Sequence, residues 1–194
     1  MPHLYGDTIK LREYRREDLP WIRMWVNNPE IVSYLSDIFL YPHTQQSTEE
    51  FLESMLEGKP DGRGFVICEP GSEQYIGNVN LDSIDWKNRV GSIGIVIGSP
   101  EYLGLGIGTE AMKLLVRFAF LELNLNRLEL QVYDFNERAY RSYIKCGFVE
   151  EGRLRQRLYK NGRYADVIQM GLLRSEWVDE RENGDLSKTR EKRE

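Results

Sequence analysis

Three glycines at alternate positions, Gly104, Gly106 and Gly108, are the most distinctive chemical feature of the sequence. They lie in the segment 103–109, directly before a stretch of helical periodicity. Because glycine has no Cβ, its backbone N–H groups can turn inward and converge at the N-terminus of that helix. Such a terminus attracts anions, with about 0.3–1 kcal/mol gained per charge at exposed sites. We therefore predict a pyrophosphate-binding loop, and the alternative is a tight strand-to-helix turn without a ligand.

The spacing of the glycines excludes two common phosphate-binding motifs. A dinucleotide-binding fingerprint requires a glycine three residues after Gly106, where this chain has Thr109. A P-loop ends in Gly-Lys-Ser or Gly-Lys-Thr, which the segment lacks. The glycines also follow three short strand patterns, whereas the dinucleotide motif normally opens the first βαβ unit. Neither motif accounts for this segment.

A second group of residues that can do chemistry lies further along the chain. From Asn136 to Phe148 the sequence follows the pattern N-x-x-A-x-x-x-Y-x-K-x-G-F. Asn136 precedes a helical stretch, so its amide can cap that helix, hydrogen-bond a ligand, or do both. Tyr143 lies on the same helical face as Ala139, at i, i+4, and periodicity alone predicts a core aromatic there.

The elements that must position these residues begin with a predicted strand and two predicted helices. Apolar alternation over 8–12 predicts the strand, and Asp18 is the predicted N-cap of the first helix. Ser47 and Glu50 have the spacing of a capping box, which predicts the start of the second helix. The aromatic-rich segment 32–42 is predicted to be a loop that packs or forms a substrate wall. The apolar face of the first helix contains Trp21, Ile22, Trp25 and Val26.

From residue 64 onward the pattern is that of a mixed α/β domain. Short turns separate three predicted strands, at 64–68, 75–81 and 90–97, which favours antiparallel pairing. The third strand is rich in Ile and Val, which predicts burial on both faces and a central position. A long helix is predicted over 107–123, followed by a strand at 127–133, a helix at 136–146 and strands at 148–159 and 164–173.

Composition places the chain among single-domain proteins. With 194 residues and 41% hydrophobic content, it can bury one sizeable core. The two cysteines suggest neither a disulfide framework nor a metal site, and we expect a reducing cytoplasm. The net charge of -5 argues against nucleic-acid binding and is compatible with a cationic substrate. We find neither a signal pattern nor an apolar run of membrane-spanning length, so we expect no membrane association.

These motifs resemble the GNAT N-acetyltransferase superfamily, in particular the branch of ribosomal-protein N-terminal acetyltransferases and spermidine acetyltransferases. The resemblance covers roughly 8–173 and is carried by the glycine segment and the Asn136 block; weaker matches lie at 147–152 and 159–164. It implies one α/β domain, residues 1–177, with a single mixed, mostly antiparallel sheet flanked by helices and splayed at its fourth and fifth strands. The charged tail 178–194 is expected to be disordered or loosely helical.

The resemblance implies acetyl-CoA as co-substrate, no metal, and direct attack by a primary amine in a ternary complex. Pantetheine would pair with the central strand like an additional strand, and the pyrophosphate would bind the glycine segment. Leu103 and Leu105 stand where relatives often have Arg or Gln and Lys, so only backbone groups serve the phosphates there. The implied cofactor-binding residues are Val96, Ile97, Gly98, Leu103, Gly104, Leu105, Gly106, Ile107, Gly108, Thr109, Asn136, Ala139, Tyr143 and Lys145.

Tyr143 is, given the resemblance, the candidate general acid. Acetyl transfer expels a thiolate, and a hydroxyl near the sulfur can protonate it, an effect typically of about 10²–10⁴ in rate. Cys146 lies nearby in sequence, but no pattern of His or Asp supports a nucleophilic role for it.

The general base is not identified by the sequence. Two positions at which relatives carry glutamate hold Ser92 and Gln131. Glu129, on the same strand face as Gln131, is our candidate, with Asp82 and Asp134 as alternatives acting through water. Because an α-amine has a lower pKa than a lysine-like amine, a weak base favours α-amines.

Three classes of acetyl acceptor follow from this reasoning. A protein or peptide N-terminal α-amine is the first expectation, a polyamine such as spermidine the second, and a small-molecule amine the third. A non-catalytic acyl-CoA sensor is a competing function, because the customary acids are missing. The resemblance also implies a homodimer.

Overall fold

The computed structural model describes residues 3–58 and 63–179, which form an eight-stranded sheet in the order β1-β2-β3-β4-β5-β6-β8-β7 with helices packed on it. The strands are β1 Leu4–Tyr5, β2 Lys10–Arg12, β3 Arg63–Cys68, β4 Tyr75–Asp85, β5 Val90–Ile97, β6 Arg127–Tyr133, β7 Val149–Lys160 and β8 Arg163–Leu173. The helices are α1 Leu19–Trp25, α2 Pro29–Val32, α3 Gln45–Leu56, α4 Ile107–Leu121 and α5 Glu137–Lys145.

The central feature of the sheet is the divergence of β5 from β6. These strands are parallel and pair at only three positions, the last of which joins Ser92 to Glu129. Beyond Ser92 the two strands separate and leave a cleft between them. All the other neighbouring pairs are antiparallel, including β3–β4 and β4–β5. The predicted mixed sheet, with a splay between the fourth and fifth predicted strands, is confirmed; the short β1 shifts their numbers to β5 and β6.

Helix α4 carries the core on one side of the sheet. Its apolar side chains recur at helical spacing, and Ala111, Leu115 and Ala119 are fully buried. The N-terminus of α4 lies against the C-terminal half of β5, beside the cleft. A second apolar cluster, on the other side of the sheet, joins α1 and α3 to β3 and β4 and includes Ile22, Trp25 and Leu52.

Two local predictions in the N-terminal region are wrong, and the predicted N-cap is confirmed only in its position. Helix α3 begins at Gln45 instead of near Ser47, because the hydroxyl of Thr44 caps it by accepting the Ser47 N–H at 3.1 Å. Asp18 is the N-cap residue of α1 as predicted, but its side chain makes no capping hydrogen bond to the helix, because the buried carboxylate accepts two hydrogen bonds from the guanidinium of Arg12. Trp21 is 37% exposed, since only one side of the predicted stripe faces the core.

One further prediction is corrected by the cleft. Strand β5 is central as predicted, but only Gly91 and Ile93 are buried, because Ser92 and residues 94–97 are open to the cleft. The predicted loop 32–42 contains a 3₁₀ turn, Asp37–Phe39, and follows the one-turn helix α2.

Within the described residues, no helix combines the length and hydrophobicity needed to cross a bilayer. The predicted tail lies outside the described residues from 180 onward, so its predicted disorder stays a prediction.

Candidate active site

The cleft between β5 and β6 encloses a cavity of about 1060 Å³. One end is formed by the glycine segment and α5, and the other by α1, β4 and residues 31–39, which we call the wall segment. The wall segment contributes Ile31, Tyr34, Leu35, Ser36, Ile38 and Phe39 to the lining. Most of the sequence-predicted site residues therefore meet in one cavity.

The glycine segment has the conformation that its composition predicts. Gly104 and Gly106 have φ of 83° and 86°, in the left-handed region, and Gly106 is the N-cap of α4. A Cβ at either position would meet nothing within 4 Å, so backbone conformation and not crowding is what favours glycine there. Gly108 lies in the first turn of α4, where a Cβ would come within 3.8 Å of Ile95 and Ile97.

Not every residue of the segment faces the cavity. Leu103, Gly104, Gly106, Gly108 and Thr109 line it. The side chain of Leu105 is 68% exposed and that of Ile107 is buried in the core, and neither residue lines the cavity. Only their backbone groups can serve an anion, which is the role that the sequence assigned to this segment.

The open edge of β5 is the second place suited to the cofactor. Val96 and Ile97 line the cavity beyond the point where β6 leaves β5. An extended pantetheine can add to such an edge in the manner of a strand. Gly98 is not in the lining: its N–H donates to the Ile76 carbonyl at 2.8 Å, and a Cβ there would clash with Trp25. A cofactor role for Gly98 is therefore limited to its carbonyl.

Helix α5 supplies the third part of the site. The Asn136 side chain accepts the Ala139 N–H at 3.2 Å, which confirms the N-cap role, and both residues line the cavity. Lys145 also lines it, at the last turn of the helix. The hydroxyls of Thr109 and Ser142 hydrogen-bond at 2.8 Å and tie α5 to the glycine segment. Sequence reasoning missed Ser142, whose role depends on how the two helices meet.

Tyr143 lies between the two ends of the cavity. It lines the cavity but is only 9% exposed, and its ring packs on Phe148 with centroids 6.3 Å apart. Burial, reinforced by Cys146 and by the negative charge of Asp82, raises the pKa of Tyr143 well above its usual value. The phenol therefore stays protonated at neutral pH, as a general acid must. The Cys146 thiol instead donates to the Thr109 carbonyl, at 3.6 Å.

Asp82 is the carboxylate most clearly directed at the cavity. The β4–β5 register shifts between Leu81 and Ser83, so Asp82 is the extra residue of a β-bulge. It lies over Gly94, where a Cβ would come within 2.5 Å of its carboxylate oxygen. Asp82 lines the cavity and much of its surface is solvent-accessible, but the surrounding protein partly desolvates its carboxyl, which raises the pKa of Asp82 to about 6.

The carboxylates of the other two candidate bases accept hydrogen bonds from neighbouring protein groups. Glu129 lines the cavity, as does Gln131, but its carboxylate accepts a hydrogen bond from Arg127 at 3.3 Å. Asp134 accepts the Asp166 N–H at 3.1 Å and does not line the cavity. Of the three carboxylates considered from the sequence, Asp82 is the one without such a partner in the described part of the chain.

Two buried asparagines in the cavity escaped the sequence reasoning. Asn78 and Asn80 are 4% and 7% exposed and precede Asp82 on the same face of β4. Tyr75 donates its hydroxyl proton to Asn78 at 2.5 Å, and Tyr14 donates to Asn80 at 2.8 Å. The signal was available, because polar residues at every second position of an otherwise apolar strand indicate a polar site.

Charge is divided across the cavity. The cationic residues of its lining, Arg138, Arg141 and Lys145, all lie on α5, next to the glycine segment. Glu137 of the same helix offsets one of these charges, since it accepts a hydrogen bond from Arg141 at 2.7 Å, and the carboxylates of Asp82 and Glu129 lie on β4 and β6. An anionic cofactor at the first end and a cationic amine at the second would both be favoured. Among the residues that the structure describes, no cluster of His, Cys, Asp and Glu is arranged to hold a metal.

Comparison with known proteins identifies the family. The family model for the acetyltransferase (GNAT) domain matches residues 8–149. Spermidine N(1)-acetyltransferase from Vibrio cholerae is 33% identical over 178 residues, covering 91% of this chain and 99% of that protein. The Escherichia coli K12 spermidine N(1)-acetyltransferase is 31% identical, covering 89% and 90%.

Solved structures agree with this assignment. The crystal structure of the Vibrio cholerae spermidine N-acetyltransferase in complex with CoA and spermine superposes with a TM-score of 0.79 and 31% identity, covering 90% of this chain and 100% of that one. The cavity described above has the three features that a CoA thioester requires: an anion-binding helix terminus, an open strand edge and cationic side chains. The chain belongs to the GNAT family and is an acetyl-CoA-dependent N-acetyltransferase.

Proposed function

We propose that the chain transfers the acetyl group of acetyl-CoA to a primary amine of a polyamine such as spermidine. The Vibrio cholerae and Escherichia coli relatives, 33% and 31% identical, are spermidine acetyltransferases, which favours this acceptor over the N-terminal α-amine that we ranked first from the sequence. The observation that carries the proposal is Asp82, a carboxylate in the cavity near enough to Tyr143 to raise its pKa.

The chain's own groups divide the work between the two ends of the cavity. Backbone N–H groups of 103–109 receive the pyrophosphate, and Lys145 adds positive charge beside them. The edge of β5 at Val96 and Ile97 holds the pantetheine, which leaves the thioester near Tyr143. When bound, acetyl-CoA supplies an activated acyl group with a thiolate leaving group.

Asp82 and Tyr143 then move the two protons of the reaction. Asp82 attracts the ammonium form of the amine and takes a proton, directly or through water, as the C–N bond forms. Tyr143 donates its proton to the departing sulfur as the C–S bond breaks. The second proton that the nitrogen must lose to become an amide passes to the Tyr143 phenolate, so Tyr143 ends protonated, and Asp82 releases the proton that it took to solvent. A base with a pKa of about 6 is close to neutral pH, the range in which proton transfer is most effective.

This assignment removes the reason for preferring an α-amine. That preference rested on the absence of an identified base, because an amine with a pKa near 10.4 is rarely neutral at pH 7. A carboxylate in the cavity both binds such an ammonium and accepts its proton. Aromatic rings of Trp25, Tyr34 and Phe39 at the same end can also contact methylene groups and cations along a polyamine.

A panel of acceptors tests the proposal. Initial rates should be compared for spermidine, spermine, a linear diamine, a peptide with a free N-terminus and no lysine, and the same peptide with that terminus blocked. We expect the polyamines to have the highest kcat/KM and the blocked peptide to be inert. A higher kcat/KM for the free-terminus peptide would overturn the polyamine assignment. Binding of acetyl-CoA without turnover of any amine would instead favour the acyl-CoA sensor.

A further inference from the structure

Lys160 forms a long-range connection to the wall segment that the chemistry above does not use. It is the last residue of β7, and its ammonium donates to the carbonyls of Leu35 and Val32 at 2.9 and 3.3 Å. It also stands 5.7 Å from the ring centroid of Tyr133, which lines the cavity. One side chain therefore connects the end of β7 to two parts of the site, the wall segment and Tyr133 of β6, that are far apart in sequence.

The wall segment has little regular structure of its own to hold it in place. Helix α2 is a single turn, and the turn at Asp37–Phe39 is 3₁₀. The Val32 carbonyl at the C-terminus of α2 accepts the Leu35 N–H at 3.0 Å, and a lysine ammonium is a favourable second partner there. Burial lowers the pKa of Lys160, and the negative charge of Asp37, in the same segment, opposes this effect. The cation is thus matched to a carboxylate and two carbonyls of the segment that it holds.

Other contacts tie the same segment to the cofactor side of the cavity. The Arg138 guanidinium lies 5.7 Å from the ring centroid of Tyr34, and Tyr34 packs on Phe135 with centroids 6.2 Å apart. These are ring contacts, which restrain the side chain of Tyr34. Lys160, by contrast, makes hydrogen bonds to the backbone of the segment and so fixes the path of the chain.

We propose that Lys160 is a positioning residue that determines acceptor specificity by fixing the wall segment against the end of β7. The role rests on the proposed function in one respect, namely that the acceptor occupies this end of the cavity. Loss of the ammonium would let the segment move away from Tyr133 and widen the acceptor site, with the cofactor end unchanged. Selectivity between short and long amines would then decrease.

The variants Lys160→Met and Lys160→Arg test the role, with Arg163→Met as the matched control. Arg163 pairs with Lys160 across the β7–β8 turn and is exposed, so its replacement removes a charge from the same hairpin without touching the wall segment. Lys160→Met removes both hydrogen bonds to the wall segment, and we expect it to raise the KM for the acceptor about tenfold, with the KM for acetyl-CoA unchanged within about twofold. Lys160→Arg keeps the cation and its donors and should recover most of the difference.

Two measurements keep the inference falsifiable if Lys160→Met folds less well. The ratio of kcat/KM for spermine to that for a short diamine is independent of the concentration of active enzyme, and we expect it to change in Lys160→Met but not in Arg163→Met. Amide hydrogen exchange over 31–39 should accelerate in Lys160→Met alone. An unchanged ratio together with unchanged exchange would overturn the inference. Because exchange needs no substrate, it decides the positioning role even if the wild type acetylates none of the amines, a result that would refute only the proposed function.

Discussion

Replacement of Asp82 by asparagine is the change for which the structure gives the most detailed prediction. The side chain keeps its size and its place in the bulge over Gly94 but can no longer accept a proton. If Asp82 is the base, kcat/KM for the amine should fall by about 10²–10⁴. Acetyl-CoA affinity should stay the same, because Asp82 lies on β4, away from the glycine segment.

The pH dependence of kcat/KM distinguishes loss of the base from other causes of lower activity. With a pKa of about 6, the protonated fraction of Asp82 falls from about nine tenths at pH 5 to about one tenth at pH 7. The wild type should therefore show a rise in kcat/KM with a midpoint near pH 6. Asp82→Asn should lose this rise. Glu129→Gln is the matched comparison, because Glu129 lines the same cavity but is hydrogen-bonded to Arg127, and it should retain the rise.

Stability should change in the opposite direction to activity. A carboxyl whose pKa is raised in the folded state binds its proton more tightly there, so the folded state loses stability as pH rises from about 4 to about 6. The rise from 3.8 to about 6 corresponds to at most about 3 kcal/mol, and we expect about 1 kcal/mol because solvent in the cleft screens the charge. Asp82→Asn should therefore melt about 2–4 °C higher than the wild type at pH 7.5 and equally at pH 4.

Stopped assays of free CoA across pH 5–9, with thermal melts at both pH values, measure all of these quantities. Loss of the rise in Glu129→Gln but not in Asp82→Asn would refute the reasoning and return the base to Glu129. A lower melting temperature for Asp82→Asn at pH 7.5 would show that the carboxylate stabilises the fold.

Three further changes probe other parts of the account. Tyr143→Phe should lower kcat by about 10²–10⁴ with unchanged acetyl-CoA affinity, measured by steady-state kinetics and calorimetric titration; a weaker affinity with unchanged kcat would make Tyr143 a packing residue. Gly106→Ala, at a positive φ, should cost about 1–2 kcal/mol and weaken CoA binding, whereas Gly108→Ala should be tolerated in thermal melts, and equal behaviour would contradict the backbone argument. Asp18→Ala should lower the free energy of unfolding in urea by about 3–5 kcal/mol, because it leaves the buried Arg12 unpaired, and a loss below about 1 kcal/mol would contradict that assignment.

The sequence predicted the parts of the site that are local in the chain. The glycine segment and the Asn136 block each consist of consecutive residues that adopt a loop and a helix start, so their conformations follow from residue type and spacing. Tyr143 and the cavity-facing side of β6 could be placed for the same reason.

The parts that could not be predicted depend on tertiary packing. Asp82 was only one of three possible bases, because its raised pKa arises from the bulge and from partial desolvation in a cleft that forms only in the folded sheet. Asp18 has an N-cap sequence position, but a buried guanidinium competes for its carboxylate. Lys160 contacts carbonyls more than 120 residues away in sequence, which periodicity cannot indicate.

In the proposed function, this cavity catalyses transfer of the acetyl group to an amine of the polyamine class. The most direct measurement is mass spectrometry of spermidine after incubation with the enzyme and acetyl-CoA, with free thiol quantified in parallel. We expect monoacetylated spermidine in an amount equal to the CoA released, and neither product above background with Asp82→Asn or Tyr143→Phe in the same time. Thiol release without acetylated spermidine, or equal product from the wild type and both variants, would contradict it.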